Sequence, residues 1–190
     1  MARALFLVGF MACGKSTVGR ELAQRLDWDF VDLDAHIEVR ERQSIAEIFR
    51  DRGEREFRVA ETAALRDLTG SLERDTVIAL GGGAFIHEAN RALLGDWPSV
   101  FLDAPLEELW QRSTHDAGKR PLRKDRAEFA HLYHRRLPFY RQATVTIVTS
   151  GKDPTSLCAE IERKLQSWGK TAGGASSPAH RDRSETGETK

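Results

Sequence analysis

The chain has 190 residues, which is enough for one domain with a sizeable core and too few for two ordinary domains. Lys plus Arg and Asp plus Glu both number 29, so the formal net charge is zero and nothing in it indicates a nucleic-acid or membrane partner. The two cysteines are far apart, and no apolar run is long enough for a signal peptide or a membrane span. We therefore expect a soluble, cytoplasmic protein without disulfides, and a monomer by default.

A glycine-containing segment at residues 9–17 follows an apolar run and precedes a helical pattern. Its spacing, G-x-x-x-x-G-K-S between a strand and a helix, is typical of a phosphate-binding P-loop. Lys15 would reach the β- and γ-phosphates of a nucleotide, and the Ser16 hydroxyl would hold Mg²⁺. The alternative is a plain strand-to-helix turn with an incidental lysine. The predicted nucleotide contacts are Gly9, Ala12, Cys13, Gly14, Lys15, Ser16 and Thr17.

Short runs rich in β-branched or aromatic residues alternate with longer helical patterns along the chain. They predict strands over 4–8, 28–33, 76–80, 99–102 and 145–148. This alternation is typical of a parallel sheet covered on both faces by helices, so we predict an α/β fold in one domain over residues 1–168.

The helical patterns between these runs carry recognisable start and stop signals. Ser44 followed by Glu47 predicts a capping box, Gly53 interrupts the pattern that follows, and Asp125 predicts a further N-cap. We expect Pro138 to disturb the helix that begins at Asp125. The predicted helices cover 16–26, 35–39, 45–52, 54–68, 85–94, 106–112, 126–137 and 155–168.

Two polar segments lack these patterns. Residues 113–124 are rich in Arg, Lys and Asp and predict a mobile lid over the site. Residues 169–190 hold no aliphatic side chain larger than Ala, so we expect a disordered tail.

Unusual residues follow two of the strands that do not carry the P-loop. Asp32 and Asp34, two positions apart, can point toward one cleft, where one would serve Mg²⁺ and the other an acceptor hydroxyl. The alternative for one of them is a simple cap of the next helix. Gly81, Gly82 and Gly83 would let the backbone lie against a ligand, and the alternative is a flexible loop.

Several arginines complete the pattern. Arg58 and Arg136 could together hold the carboxylate of a small acid, because a planar guanidinium binds a carboxylate in bidentate fashion. The alternative for Arg58 is a helix-face ion pair with Glu54 or Glu61. Arg120, in the predicted lid, could stabilise charge on a transferring phosphoryl group.

In combination these motifs resemble the shikimate kinase family over roughly residues 4–168. The resemblance rests on the order and spacing of the P-loop, the Asp32/Asp34 strand end, the segments around Ser44 and Arg58, the three glycines, the Arg120-Pro121-Leu122 lid motif and the Arg136-Leu137-Pro138-Phe139-Tyr140 motif.

The resemblance implies a nucleoside-monophosphate-kinase-like P-loop fold of three layers, with a five-stranded parallel sheet in the order 2-3-1-4-5. It also implies transfer of the ATP γ-phosphate to the 3-hydroxyl of shikimate, a step toward chorismate and the aromatic amino acids. Helices over about 34–61 would bind this acceptor. The implied substrate residues are Asp34, Arg58, Gly81, Gly82, Gly83 and Arg136, and the implied catalytic residues are Lys15, Asp34 and Arg120. Ser16 and Asp32 would serve Mg²⁺, and Arg112 and the segment 150–154, which ends in Pro154, would flank the adenine. Phe49, Phe57 and Glu61 would line or brace the acceptor pocket.

Two departures from the family pattern concern the nucleotide. Many members carry Gly at the position of Ala12 and a small residue at that of Cys13, so we expect an altered nucleotide affinity at most. Two other interpretations remain open: a P-loop kinase acting on gluconate or a nucleoside monophosphate, and a catalytically silent nucleotide-binding module that regulates a partner.

Overall fold

The protein is described by a computed structural model that covers residues 2–115 and 125–172, with side chains at 2–113 and 125–167. The strands of these residues form a single parallel sheet of five, in the order second, third, first, fourth and fifth along the chain. Both the strand positions and this order confirm the predictions. The strands are β1 (Ala4–Val8), β2 (Asp29–Asp32), β3 (Thr76–Ala79), β4 (Ser99–Asp103) and β5 (Val145–Val148).

Helices surround the sheet, and the first of them leads directly out of the P-loop. The helices of the described residues are α1 (Lys15–Leu26), α2 (Leu33–Glu41), α3 (Ile45–Gly70), α4 (Glu88–Leu93), α5 (Leu106–His115), α6 (Arg126–Tyr140) and α7 (Pro154–Ala172), with a 3-10 turn at Ala84–Ile86. Helix α1 packs against β2, β3 and α7, and α2 packs against α3. None of these helices combines the length and apolarity that a membrane span requires.

Local signals in the sequence decide several helix ends. Both bonds of the predicted capping box are present, since the Ser44 backbone N–H donates to Glu47 at 2.8 Å and the Glu47 N–H donates to the Ser44 hydroxyl at 3.3 Å. Gly53 interrupts α3 with a φ of 80°, which a side chain would disfavour. The Asp125 side chain caps α6, as predicted. Each cap stabilises its helix by about 1 kcal/mol.

Two helix predictions were wrong in detail. Helix α6 does not stop at Pro138 but continues to Tyr140, whose ring is buried and stacks on Phe101 at 5.4 Å. The packing of the buried Tyr140 ring offsets the free energy lost with the one backbone hydrogen bond that Pro138 cannot make. The helix predicted over 85–94 is broken by His87, whose backbone is extended.

The sheet order brings the predicted site residues to one edge. Strand β1 is buried along its whole length and lies between β3 and β4, so the P-loop leaves the centre of the sheet. Asp32 ends β2, which pairs with β3, and the three glycines follow β3. In parallel sheets this carboxyl edge is where ligands bind.

Parts of two predictions lie outside the described residues. These are residues 116–124 of the predicted lid, which include Arg120, and residues 173–190 of the predicted tail. The described parts of both segments were predicted wrongly, because residues 113–115 belong to α5 and residues 169–172 belong to α7. Helix α7 runs to Ala172, beyond its predicted end at residue 168. Extending an existing helix is easier than starting one, because each added residue gains a backbone hydrogen bond.

Candidate active site

The P-loop owes its shape to residues with left-handed backbone. Gly9 and Gly14 have φ values of 145° and 93°. A Cβ atom at Gly9 would also lie only 2.9 Å from both the Cys13 sulfur and the Leu102 carbonyl oxygen. Ala12 has a φ of 63°, which costs an L-residue roughly 1 kcal/mol relative to glycine. The departure at Ala12 therefore adds backbone strain to the phosphate loop.

Lys15 lies across this loop. Its Nζ donates to the carbonyl oxygens of Gly9 at 3.0 Å and Phe10 at 2.9 Å, and lies 3.7 Å from the Cys13 sulfur. These contacts hold the ammonium group against the phosphate loop, which leads into the N-terminus of α1. The arrangement concentrates positive charge where the P-loop prediction expects phosphates.

Asp32 connects the P-loop to α2 through both of its carboxylate oxygens. Oδ2 accepts a 2.5 Å hydrogen bond from the Ser16 hydroxyl, and Oδ1 accepts a 3.1 Å bond from the backbone N–H of Asp34. Asp32 thus caps α2, which is the alternative that the sequence left open for one of the two aspartates, and it also lies beside Ser16. Hydroxyl and carboxylate oxygens are the hard ligands that suit Mg²⁺.

The three glycines, called the glycine strip from here on (residues 81–83), bring the predicted acceptor residues together. A Cβ at Gly81 would overlap with Oδ1 of Asp34, and one at Gly83 would lie 2.5 Å from Nη1 of Arg58. At Gly82 it would lie 3.6 Å from Nη1 of Arg136 and 3.6 Å from the Met11 N–H nitrogen of the P-loop. At Gly81 and Gly83 a side chain would collide with Asp34 or Arg58, whereas at Gly82 a Cβ would make only ordinary contacts. None of the three has a left-handed backbone, and the strip lies between Asp34, the two arginines and the phosphate loop.

Both arginines are anchored. Arg136 is 8% exposed, and its Nη1 donates to the Gly82 carbonyl oxygen at 3.2 Å. The Tyr140 hydroxyl donates to the same carbonyl. Arg58 pairs with Glu61 at 2.9 Å and with Glu54 at 3.1 Å, so the ion-pair interpretation of Arg58 holds in this structure. Its Nε is buried and has no hydrogen-bond partner within the described residues, which leaves one guanidinium donor unused.

Glu61 is the most deeply buried carboxylate at this edge, with 1% exposure. Burial raises the pKa of Glu61 from 4.5 to about 7, against the opposing effect of the Arg58 guanidinium. Because folding raises this pKa, Glu61 stabilises the fold at low pH. That contribution is lost as the pH rises through about 7.

We expect this titration to be visible in the stability of the protein. Between pH 5 and 8, the free energy of unfolding in urea should fall by about 2 to 3 kcal/mol more in the wild type than in Glu61→Gln, which cannot ionise. Glu54→Gln is the matched control, because Glu54 also contacts Arg58 but its side chain is 69% exposed. An unchanged pH dependence in Glu61→Gln would show that Glu61 does not titrate in this range.

A cleft of about 490 Å³ extends from the P-loop to the start of α7. Arg112, Lys152 and Pro154 line its outer part. Arg112 pairs with Glu108 at 2.8 Å, and Glu108 also accepts a hydrogen bond from the Ser150 hydroxyl, so α5 and the loop before α7 are joined there. The cleft is also lined by Met11, Ala12, Cys13, Gly14, Lys15, Ser16, Thr17, Val18, Asp32, Asp34, Leu80, Gly82, Thr149 and Leu157.

The structure therefore brings the predicted site residues together, apart from Arg120, which lies outside the described residues. Sequence reasoning missed Asn90 and Thr62, which contact each other beside the glycine strip at 2.7 Å. Each is an ordinary polar residue within a predicted helix, and no spacing rule marks it. Glu108 was missed for the same reason.

Comparison with known proteins places the site in a family context. The family model described as Shikimate kinase matches residues 11–166. The chain is 39% identical to a shikimate kinase of Persephonella marina, over 86% of the chain and 99% of the relative. It is 44% identical to one of Halorhodospira halophila, over 85% and 93%. The solved structure of the Acinetobacter baumannii shikimate kinase in complex with shikimate is similar with a TM-score of 0.81 and 35% identity, covering 88% of this chain and 94% of that one.

Proposed function

We propose that this chain, which belongs to the shikimate kinase family, transfers the γ-phosphate of ATP to the 3-hydroxyl of shikimate, giving shikimate 3-phosphate and ADP. Family membership makes it an ATP-dependent kinase of the shikimate pathway. The observation that carries the proposal is the glycine strip, since its three positions lie against Asp34, Arg136 and Arg58 beside the P-loop.

The P-loop would bind the phosphates of ATP. The backbone amides of residues 9–17 would bind the β- and γ-phosphates, and the Lys15 ammonium would neutralise charge on the transferring group. On binding ATP, its Nζ would exchange the Gly9 and Phe10 carbonyl oxygens, at 3.0 and 2.9 Å, for phosphate oxygens. Arg120 would add a second positive charge from the lid.

The metal prediction fits the oxygen donors at this position. Ser16 and Asp32 would hold Mg²⁺, Asp32 through water, and when bound the ion would neutralise phosphate charge. The 2.5 Å contact between the Ser16 hydroxyl and the Asp32 carboxylate already brings the two donors together.

The adenine would lie between Arg112 and Pro154 in the outer part of the cleft. Arg112 is presented from α5 by its ion pair with Glu108 at 2.8 Å. Because a guanidinium plane stacks on aromatic rings, Arg112 suits a nucleobase face.

The two anchored arginines would bind the carboxylate of the acceptor. Arg58 and Arg136 would hold the shikimate carboxylate, and the amides and carbonyls of Gly81, Gly82 and Gly83 would lie against its ring. Arg136 is held in place by the Gly82 carbonyl, and Arg58 by Glu61, so neither side chain has to be ordered when the acid binds. Such preorganisation favours affinity and fixes the orientation of the acceptor.

Asp34 would then face the 3-hydroxyl group. Its Oδ1 lies against Gly81, and its backbone N–H is fixed by Asp32 at 3.1 Å. A carboxylate in this position can orient the hydroxyl and accept its proton while the phosphoryl group moves in line from ATP to the acceptor. Catalysis would come from positioning and charge neutralisation, with little covalent chemistry by the protein.

Acceptor-dependent release of ADP tests the proposal. The purified protein is incubated with ATP·Mg²⁺ and shikimate, gluconate, a nucleoside monophosphate or no acceptor, and ADP is measured. We expect release with shikimate at least about a hundredfold faster than with the others, because a site shaped to hydrogen-bond one acceptor rejects molecules that leave its buried polar groups without partners.

Other outcomes separate the alternatives. Equal or faster release with gluconate or a nucleotide acceptor would retain the kinase activity and reject the roles of Arg58 and Arg136. Nucleotide binding without any turnover would favour the silent module.

A further inference from the structure

A buried amide, Asn90, joins the helix that carries Arg58 to the backbone that follows the glycine strip. Asn90 is fully buried, and its Nδ2 donates to the Ala84 carbonyl oxygen at 3.0 Å. Its Oδ1 accepts a 2.7 Å hydrogen bond from the Thr62 hydroxyl. Since the Ala84 carbonyl can only accept, this orientation of the amide is the one that satisfies both partners.

The 3-10 turn at Ala84–Ile86 is held by side chains of α4 on every carbonyl. Asn90 binds the carbonyl of Ala84, and Nη1 of Arg91 donates to those of Phe85 at 2.9 Å and Ile86 at 2.6 Å. The 3-10 turn also contacts the glycine strip directly, because the Ala84 N–H donates to the Gly81 carbonyl oxygen at 3.0 Å. These bonds explain why the helix predicted over 85–94 breaks at His87.

Thr62 connects this assembly to the acid-binding residues of α3. It follows Glu61 directly and lies one helical turn after Arg58, so its position along α3 is set together with theirs. Arg58 in turn lies so close to Gly83 that a Cβ there would be 2.5 Å from its Nη1. Two sets of contacts therefore set the distance between Arg58 and the glycine strip. One is the direct contact of Arg58 with Gly83, and the other is the pair of hydrogen bonds from Thr62 to Asn90 and from Asn90 to Ala84.

We propose that the Thr62–Asn90 hydrogen bond is a positioning contact that holds the glycine strip at the correct distance from Arg58 and so sets the affinity for the acid substrate. Neither residue lines the cleft beside the P-loop, and Asn90 is fully buried, so we assign neither of them a contact with the substrate. The inference rests on the proposed function, because it assigns these residues to the acid half of that site. It concerns the acid and not ATP, since the bond lies on the side of the strip that faces α3 and α4.

The structural alternative is a buried amide that merely satisfies its own hydrogen bonds. Loss of the Thr62 hydroxyl would then lower the free energy of unfolding and change the KM for both substrates alike, because a buried acceptor without a donor destabilises the whole fold. The positioning role instead predicts a selective change in the KM for the acid.

Thr62→Val tests this, because valine has nearly the shape of threonine and lacks the hydroxyl. We expect the KM for shikimate to rise about fivefold to tenfold, with the KM for ATP within about twofold of the wild type. Thr62→Ser keeps the hydroxyl and should restore the acid KM to within about twofold. Thr69→Val is the matched control on the same helix, since among the described residues the Thr69 hydroxyl donates to carbonyl oxygens of α3 itself, at 2.9 Å to Leu65 and 3.1 Å to Arg66.

Thermal unfolding and circular dichroism accompany the kinetics. Thr62→Ala, which lacks the hydroxyl and favours a helix, provides the same comparison if Thr62→Val does not fold. An unchanged acid KM, an equal rise in both KM values, or a serine variant as impaired as the valine variant would each overturn the inference while leaving the wild-type reaction intact. Absence of shikimate-dependent turnover in the wild type would overturn the proposed function itself, and this inference with it.

Discussion

Asp34→Asn is expected to lower kcat about a hundredfold to a thousandfold while the Kd for ATP stays within about twofold of the wild type. Asparagine keeps the shape that fits against Gly81, but it cannot accept the proton of the acceptor hydroxyl. The backbone N–H of residue 34 keeps its bond to Asp32, so the geometry of the P-loop and α2 should be unaffected. Steady-state kinetics at saturating shikimate and calorimetric titration with ATP measure the two quantities.

Asp67→Asn is the matched control for this substitution. Asp67 lies on α3, its side chain is 63% exposed and it pairs with Arg40 on the surface, so we expect kinetics close to the wild type. If Asp34→Asn keeps nearly normal turnover, Asp34 is a spectator that shapes the pocket, and another group receives the proton.

Lys15→Met is expected to lower kcat/KM for ATP by about a thousandfold or more. Methionine retains much of the aliphatic length and removes the charge, so phosphate oxygens lose a donor in a partly enclosed site. Removing one such preorganised donor typically reduces kcat by roughly 10²–10³, and weaker ATP binding adds to the loss. Stopped assays of ADP at several ATP concentrations separate the two contributions.

Lys164→Met controls for removal of a lysine that also binds backbone. Lys164 donates to the Thr146 carbonyl oxygen at 2.7 Å, far from the P-loop in sequence and on the last helix. We expect its activity to match the wild type. A Lys15→Met variant that retained wild-type kcat/KM would contradict the assignment of Lys15 to the transferring phosphate.

The two largest expected losses of activity come from substitutions at residues that short motifs predicted, Lys15 and Asp34. The smaller expected change, in the KM for shikimate, comes from the Thr62–Asn90 contact, which no motif predicted. Lys15 is recognisable because the phosphate loop requires lysine at one position between a glycine and a hydroxyl residue. Asp34 was predicted because strand residues two apart point to the same side, but it lies in the first turn of α2 and not on β2, so it reaches the site from the helix that Asp32 caps. Thr62 and Asn90 carry no such constraint, since many side chains can occupy a helix at those positions.

Strands, caps and the P-loop could be predicted because they depend on residues close together in the chain. Apolar runs, the Ser44/Glu47 capping box, the Asp125 cap and the break at Gly53 each follow from preferences that operate within a few residues of the position concerned. The strand order also agreed with prediction, although through the family resemblance and not through the residues themselves.

Tertiary packing alone decided which side chain meets which glycine. Asp34 lies against Gly81, Arg136 against Gly82 and Arg58 against Gly83, and these pairs are separated by tens of residues in the chain. Packing also decided that α6 passes through Pro138, since the buried Tyr140 ring stacks on Phe101 of the neighbouring strand. The sequence by itself thus determined the local elements and the types of residue at the site. Their distances needed the fold, because contacts between distant residues depend on how whole elements pack and not on any local preference.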